Sequence, residues 1–74
     1  MSDKDLVEVA CTFVRHTDKA VLVNDGDREA WIPKSQIEDL EYDRYDAEDW
    51  YDLEPGDSLT MSIPEWLAED KGLI

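Results

Sequence analysis

The chain has 74 residues and carries 20 Asp plus Glu against 7 Lys plus Arg, a formal charge of −13. That length suits one small domain, 1–74, which buries only roughly 60% of its unfolded surface; a core so thin argues against a self-contained enzyme with a deep pocket. The sign of the charge opposes direct binding to duplex phosphates and adsorption to an anionic membrane.

Residues 7–13 read as the first strand. Val7, Val9, Cys11 and Phe13 alternate with Glu8, Ala10 and Thr12, the period-two pattern of a half-buried strand. His16-Thr17-Asp18 makes a polar break before the short apolar strand Ala20-Val21-Leu22-Val23. Asn24-Asp25-Gly26-Asp27 is a hairpin turn, because Asp-Gly tolerates the positive φ such turns require. The return strand, Arg28-Glu29-Ala30-Trp31-Ile32, stops at Pro33, which has no N–H to donate.

A second alternating run follows a Pro55-Gly56-Asp57 turn, with Leu59, Met61 and Ile63 set against Ser58, Thr60 and Ser62. Residues 64–71 then predict a short helix. Pro64 suits its first position, Glu65 complements its dipole, and Gly72 stands where a C-terminal cap belongs. Trp66 and Leu67 are expected to cover one end of the sheet. The predicted fold class is a β-dominated α+β domain: a small curved antiparallel sheet or open barrel of about four strands, with a short C-terminal helix and an acidic, partly helical insertion.

That insertion, residues 38–57, holds ten acids and a single base, Arg44, for a net −9; the other 54 residues carry −4. Ser35 and Glu38 fit a capping box, and a helix begun there places Ile37, Leu40, Ala47 and Tyr51 on one side. Carboxylates on the other faces oppose such a helix by ~0.2–0.5 kcal/mol for each like-charged pair three or four apart. The expectation is therefore part helix and part loop.

Three explanations compete for the run. A solvated, solubilising face is the commonest origin of clustered charge. A calcium loop needs acids at alternate positions around a glycine, whereas Asp43, Asp46 and Asp49 have period three and no glycine. The third is mimicry of nucleic-acid phosphates. Twenty helical residues span ~30 Å, and one DNA strand places about nine charges in that length. The interleaved Tyr42, Tyr45, Trp50 and Tyr51 are residues of the kind that anchor interfaces, and packing back onto the sheet is an equal use for some of them. The candidate partner-binding residues are Asp43, Tyr45, Asp46, Glu48, Asp49, Trp50 and Asp52.

No catalytic motif, cofactor signature or metal spacing stands out. His16 is expected at the surface, and Cys11, the one cysteine, as a buried small hydrophobe outside any disulfide. Trp31 and Lys34 offer a stacking face and a cation that single-stranded nucleic acid could use. They also read simply as the end of one strand and the start of the next segment. The polar start of the chain, and the lack of any apolar run near ~18 residues, suggest a cytoplasmic protein.

Lys19-Ala20-Val21-Leu22-Val23, Trp31-Ile32-Pro33-Lys34-Ser35-Gln36-Ile37, Ile63-Pro64-Glu65-Trp66-Leu67-Ala68 and Lys71-Gly72-Leu73 together resemble a family of small phage and prophage proteins. Similar modules are appended to some phage helicase-like proteins. The resemblance spans most of the chain outside residues 38–57, and implies a compact β-rich domain in a phage context without an activity to carry over. In size, charge and context the chain is also similar to DNA-mimicking anti-CRISPR proteins, with no shared motif. The expected function is a non-enzymatic, DNA-mimicking inhibitor of a basic DNA-binding protein or nucleoprotein complex, such as a CRISPR effector. It would act without cofactor or membrane, as a monomer or weak homodimer. The alternatives are a nucleic-acid-binding accessory module and a phage structural or assembly protein.

Overall fold

The computed structural model describes residues 5–43 and 46–73. Five strands form one antiparallel sheet: β1 (Leu6–His16), β2 (Ala20–Asn24), β3 (Glu29–Pro33), β4 (Asp39–Tyr42) and β5 (Ser58–Pro64). Their spatial order is β3-β2-β1-β5-β4, so the long first strand lies at the centre and the sheet stays open between β3 and β4. The helix α1 (Glu65–Asp70) follows β5 directly.

The alternation seen in the sequence sets one face of this sheet. Val9, Cys11 and Phe13 from β1, Leu59, Met61 and Ile63 from β5, and Val21, Val23, Ala30 and Ile32 from the hairpin form a single apolar core. Cys11 is buried there as a free thiol. Burial, with the Asp25 charge adding to it, raises its pKa from 9.0 to about 12. The β2–β3 turn is fixed by its own side chains. Asn24 Oδ1 accepts from the Gly26 N–H at 2.7 Å, and Asp25 Oδ1 accepts from the N–H groups of Asp27 and Arg28 at 2.9 and 3.0 Å. Those two donors hold the Asp25 carboxyl below its ordinary pKa of 3.8. Gly26 adopts φ +108°, a region that side chains rarely enter.

The helix starts one residue later than expected, with Pro64 as its N-cap at ψ 142° and the last residue of β5 rather than the first helical position. It ends in a Schellman motif: the Leu73 N–H donates to Ala68 O at 2.8 Å and the Gly72 N–H to Glu69 O at 3.1 Å, with Gly72 at φ +73°. Leu67 and Ala68 pack into the core. Trp66, expected to help cover the sheet, instead points outward and is 60% exposed. Ala68 takes its place because it lies on the same helical face as the core.

Two departures concern the segment after β3. No helix starts at Ser35. A 3-10 turn over Lys34–Gln36 is tied back by the Lys34 N–H donating to Lys19 O at 2.8 Å, and its N-cap is Pro33 with no side-chain cap. The Glu38 N–H is bonded to Ser62 O, so the capping box does not form. The chain then enters β4, a fifth strand within the acidic run. Leu40 and Tyr42 pair with Met61 and Leu59 and pack against the core, while Asp39 and Glu41 face away. The period-two pattern wins over a helix because pairing with β5 buries both apolar side chains and separates the carboxylates. The helical content of residues 38–57, among the described residues, is one 3-10 turn over Trp50–Asp52. Residues 38–43 and 46–57 therefore do not form the ~30 Å helix that would carry nine charges.

Candidate functional site

Residues 46–57 of the acidic segment are folded rather than tail-like. Its apolar residues turn inward: Leu53 is buried, and Ala47 and Trp50 pack against the core cluster. The Trp50 ring stacks on Phe13 at 6.3 Å between centroids and meets Tyr42 edge-on at 6.1 Å. Contacts of this kind contribute roughly 0.5–1.5 kcal/mol each beyond area burial. Burial, with the charges of Asp49 and Asp52 nearby, raises the pKa of Tyr42 above 10.0.

Short-range polar bonds shape the rest of the loop. Asp49 caps the 3-10 turn by accepting from the Tyr51 N–H at 2.8 Å. Asp52 Oδ2 accepts from the Glu48 N–H, and Asp57 Oδ2 from the Glu54 N–H, both at 2.8 Å. Backbone bonds from Gly56 N to Phe13 O and from Phe13 N to Asp57 O, each 2.8 Å, fasten the loop's far end to β1.

The sequence-predicted partner residues divide accordingly. Asp43, Asp46, Glu48, Asp49 and Asp52 are all exposed. Asp43 follows the edge strand β4, its N–H bonded to Ser58 O at 3.1 Å; the other four sit on the loop. Asp49 and Asp52 also serve as local caps. Trp50 is half-buried and fastens the loop, so among the described residues the aromatic surface displayed there belongs to Tyr51, 75% exposed. Tyr45, with its neighbour Arg44, lies outside the described residues.

His16 and Lys34 take places that residue type alone did not reveal. A bulge at Val14 shifts the pairing of β1 with β2 between Phe13 and Arg15. An undisturbed strand would send residues 13 and 16 to opposite faces. The bulge instead brings His16 onto the core side at the sheet's end, 5.9 Å from the Phe13 ring. There it meets Tyr51 edge-on at 4.7 Å and stacks with Trp50 at 6.5 Å. Lys34 Nζ lies 2.9 Å from His16 Nδ1, the ring nitrogen that also sits 3.3 Å from the Thr17 carbonyl oxygen. The same ammonium stands 5.5 Å from the Trp50 ring centroid, a cation–π contact. Trp31 lies on the other face of the sheet, paired with Leu22 and under the Arg15 guanidinium at 5.6 Å. Trp31 and Lys34 thus belong to separate surfaces.

Among the described residues, no three His, Cys, Asp or Glu side chains converge as a metal site, and no helix is long and apolar enough to cross a membrane. Comparison with protein-family models, curated proteins and solved structures gives no match for this chain.

Proposed function

We propose that this protein is a non-enzymatic, acidic interaction module that covers a basic, nucleic-acid-binding surface of another protein, its carboxylates standing where phosphates would. The observation that carries this reading is the construction of residues 46–57. Trp50, Leu53 and Ala47 fasten the loop to the sheet, while Asp46, Glu48, Asp49, Asp52 and Glu54 remain exposed. A run that served only solubility would have no need of an anchored, capped loop. Pre-ordering the charges lowers the entropic cost of association, and charge of one sign on a small body speeds encounter with a basic surface. The similarity in size and charge to DNA-mimicking anti-CRISPR proteins makes a CRISPR effector complex the first target to try, within a phage-infected bacterial cytoplasm.

The test compares the native chain with the quadruple variant Asp46→Asn, Glu48→Gln, Asp49→Asn and Asp52→Asn in captures from bacterial lysate. Asparagine keeps an acceptor oxygen for the caps at residues 49 and 52, so the loop is expected to hold its shape. A basic nucleoprotein captured by the native form alone, and released by competing duplex DNA, supports the reading. Equal capture by both forms contradicts it.

A further inference from the structure

A second acidic surface lies away from the loop, on the face of the sheet opposite the core. Three rungs cross it. Glu8 of β1 stands opposite Ser62 of β5, which stands opposite Asp39 of β4; Ala10, Thr60 and Glu41 form the next rung; Thr12 and Ser58 begin the third. Asp43 continues that last rung through its backbone bond to Ser58. These residues alternate with buried Val9, Cys11, Leu59 and Met61, so all project to the uncovered side.

No element of the described chain lies over this face. The helix α1 sends Leu67 and Ala68 into the core on the other side, and Ala10, in the middle of the central strand, is exposed. Nothing larger than threonine stands on the floor between Glu8 and the β4 edge, and none of these rung residues is a lysine or arginine. Strands ~4.8 Å apart put the β1 and β4 carboxylates about 10 Å from each other across that floor. At one end the floor deepens into an open groove of about 340 Å³, lined by Ala10, Thr12, Asn24, Asp25, Asp43 and Thr60.

We infer that this face seats guanidinium groups from an arginine-rich segment of the basic partner, flat against the Ala10–Thr60 floor and between the carboxylates of Glu8 and Glu41. The inference rests on the function proposed above and adds the surface and the chemical group recognised. An open floor of small side chains with carboxylates on both sides leaves room for a planar fork of five N–H donors, which binds carboxylates two bonds at a time. A lysine ammonium, a compact point charge, makes no such two-bond pair with a carboxylate. The charge is complementary, and no side chain has to move to open the floor.

The experiment is an NMR titration of the full, isotope-labelled chain with hexa-arginine and hexa-lysine peptides, at about 150 mM salt so that charges beyond ~8 Å are largely screened. The expected result is tighter binding of hexa-arginine, with shifts centred on the amides of Ala10, Thr12, Ser58 and Thr60. Glu41→Gln, isosteric and exposed, should weaken that binding about tenfold, the scale of one charge-assisted hydrogen bond. Ala10→Arg should block the floor, and Glu41→Gln gives an independent reading if that variant does not fold. Shifts confined to residues 46–54 would overturn the face while leaving the proposed function standing. Equal binding of the two peptides, spread over both surfaces, would overturn the guanidinium assignment. Binding of neither peptide would count against both readings.

Discussion

In the sheet, Val21, Val23, Ile32, Leu59, Met61 and Ile63 are shut off from water almost completely, whereas between residues 46 and 57 only Leu53 is buried. The sheet is held by apolar area and by ladders joining distant parts of the chain. The loop is held by a few inward side chains and by aspartates that bond backbone groups two to four residues away. The two regions therefore divide the work: one supplies rigidity, and the other holds negative charge at the surface on a frame that costs little to build. Carboxylates that both cap a turn and face outward let a short segment be ordered and highly charged at once.

The largest expected effect falls on the sheet. Met61→Ala should cost about 2–5 kcal/mol, read from urea denaturation, because the side chain is fully enclosed and its removal leaves a cavity. A loss no greater than that of a loop substitution would erase the contrast between the regions. Alkali should act through the same core. With the Cys11 thiol raised from 9.0 to about 12, its contribution to stability is fully present below pH 9 and is lost as pH rises toward 12, since the unfolded chain releases the proton first. The thiol should also resist alkylation at pH 8 until the protein unfolds, which a thiol-trapping assay in rising urea reads directly.

Trp50→Ala probes the junction of the two regions. Loss of its contacts with Phe13 and Tyr42 should cost about 1–3 kcal/mol. Amide exchange should accelerate across residues 46–54 while the β1–β5 ladder stays protected. Equal acceleration in both would mean that the loop is part of the core unit. The smallest effect is confined to the loop itself. Asp49→Ala removes the cap of the 3-10 turn and should cost ~1 kcal/mol, whereas Asp49→Asn, which keeps an acceptor oxygen, should stay close to the native value.

Legibility in the sequence follows the same division. The alternation over residues 7–13 and 58–63, the Asn24-Asp25-Gly26-Asp27 turn and the Pro64 to Gly72 signals were readable because each is set by neighbours in the chain. β4 was hidden by composition. Asp39 and Glu41 looked like members of a charge run, yet they are the outward positions of an edge strand whose inward positions are Leu40 and Tyr42. The placement of His16 depends on the Val14 bulge, which arises where β1 must satisfy β2 on one side and the incoming loop on the other. No local pattern encodes that. Of the candidate site, the exposed acids were legible from charge alone. The inward role of Trp50 and the Lys34–His16 contact needed the tertiary fold.

Phosphate mimicry is tested most directly by displacement of duplex DNA from a purified basic partner, such as a CRISPR effector complex that the native chain captures. The chain is titrated against labelled DNA at fixed salt, with the Asp46→Asn, Glu48→Gln, Asp49→Asn, Asp52→Asn form as control. Phosphate mimicry predicts stoichiometric displacement by the native chain, and displacement by the neutralised form that is weakened about tenfold or more though its sheet remains folded. Simultaneous binding of DNA and protein to that partner, or displacement unchanged by neutralisation, would contradict it.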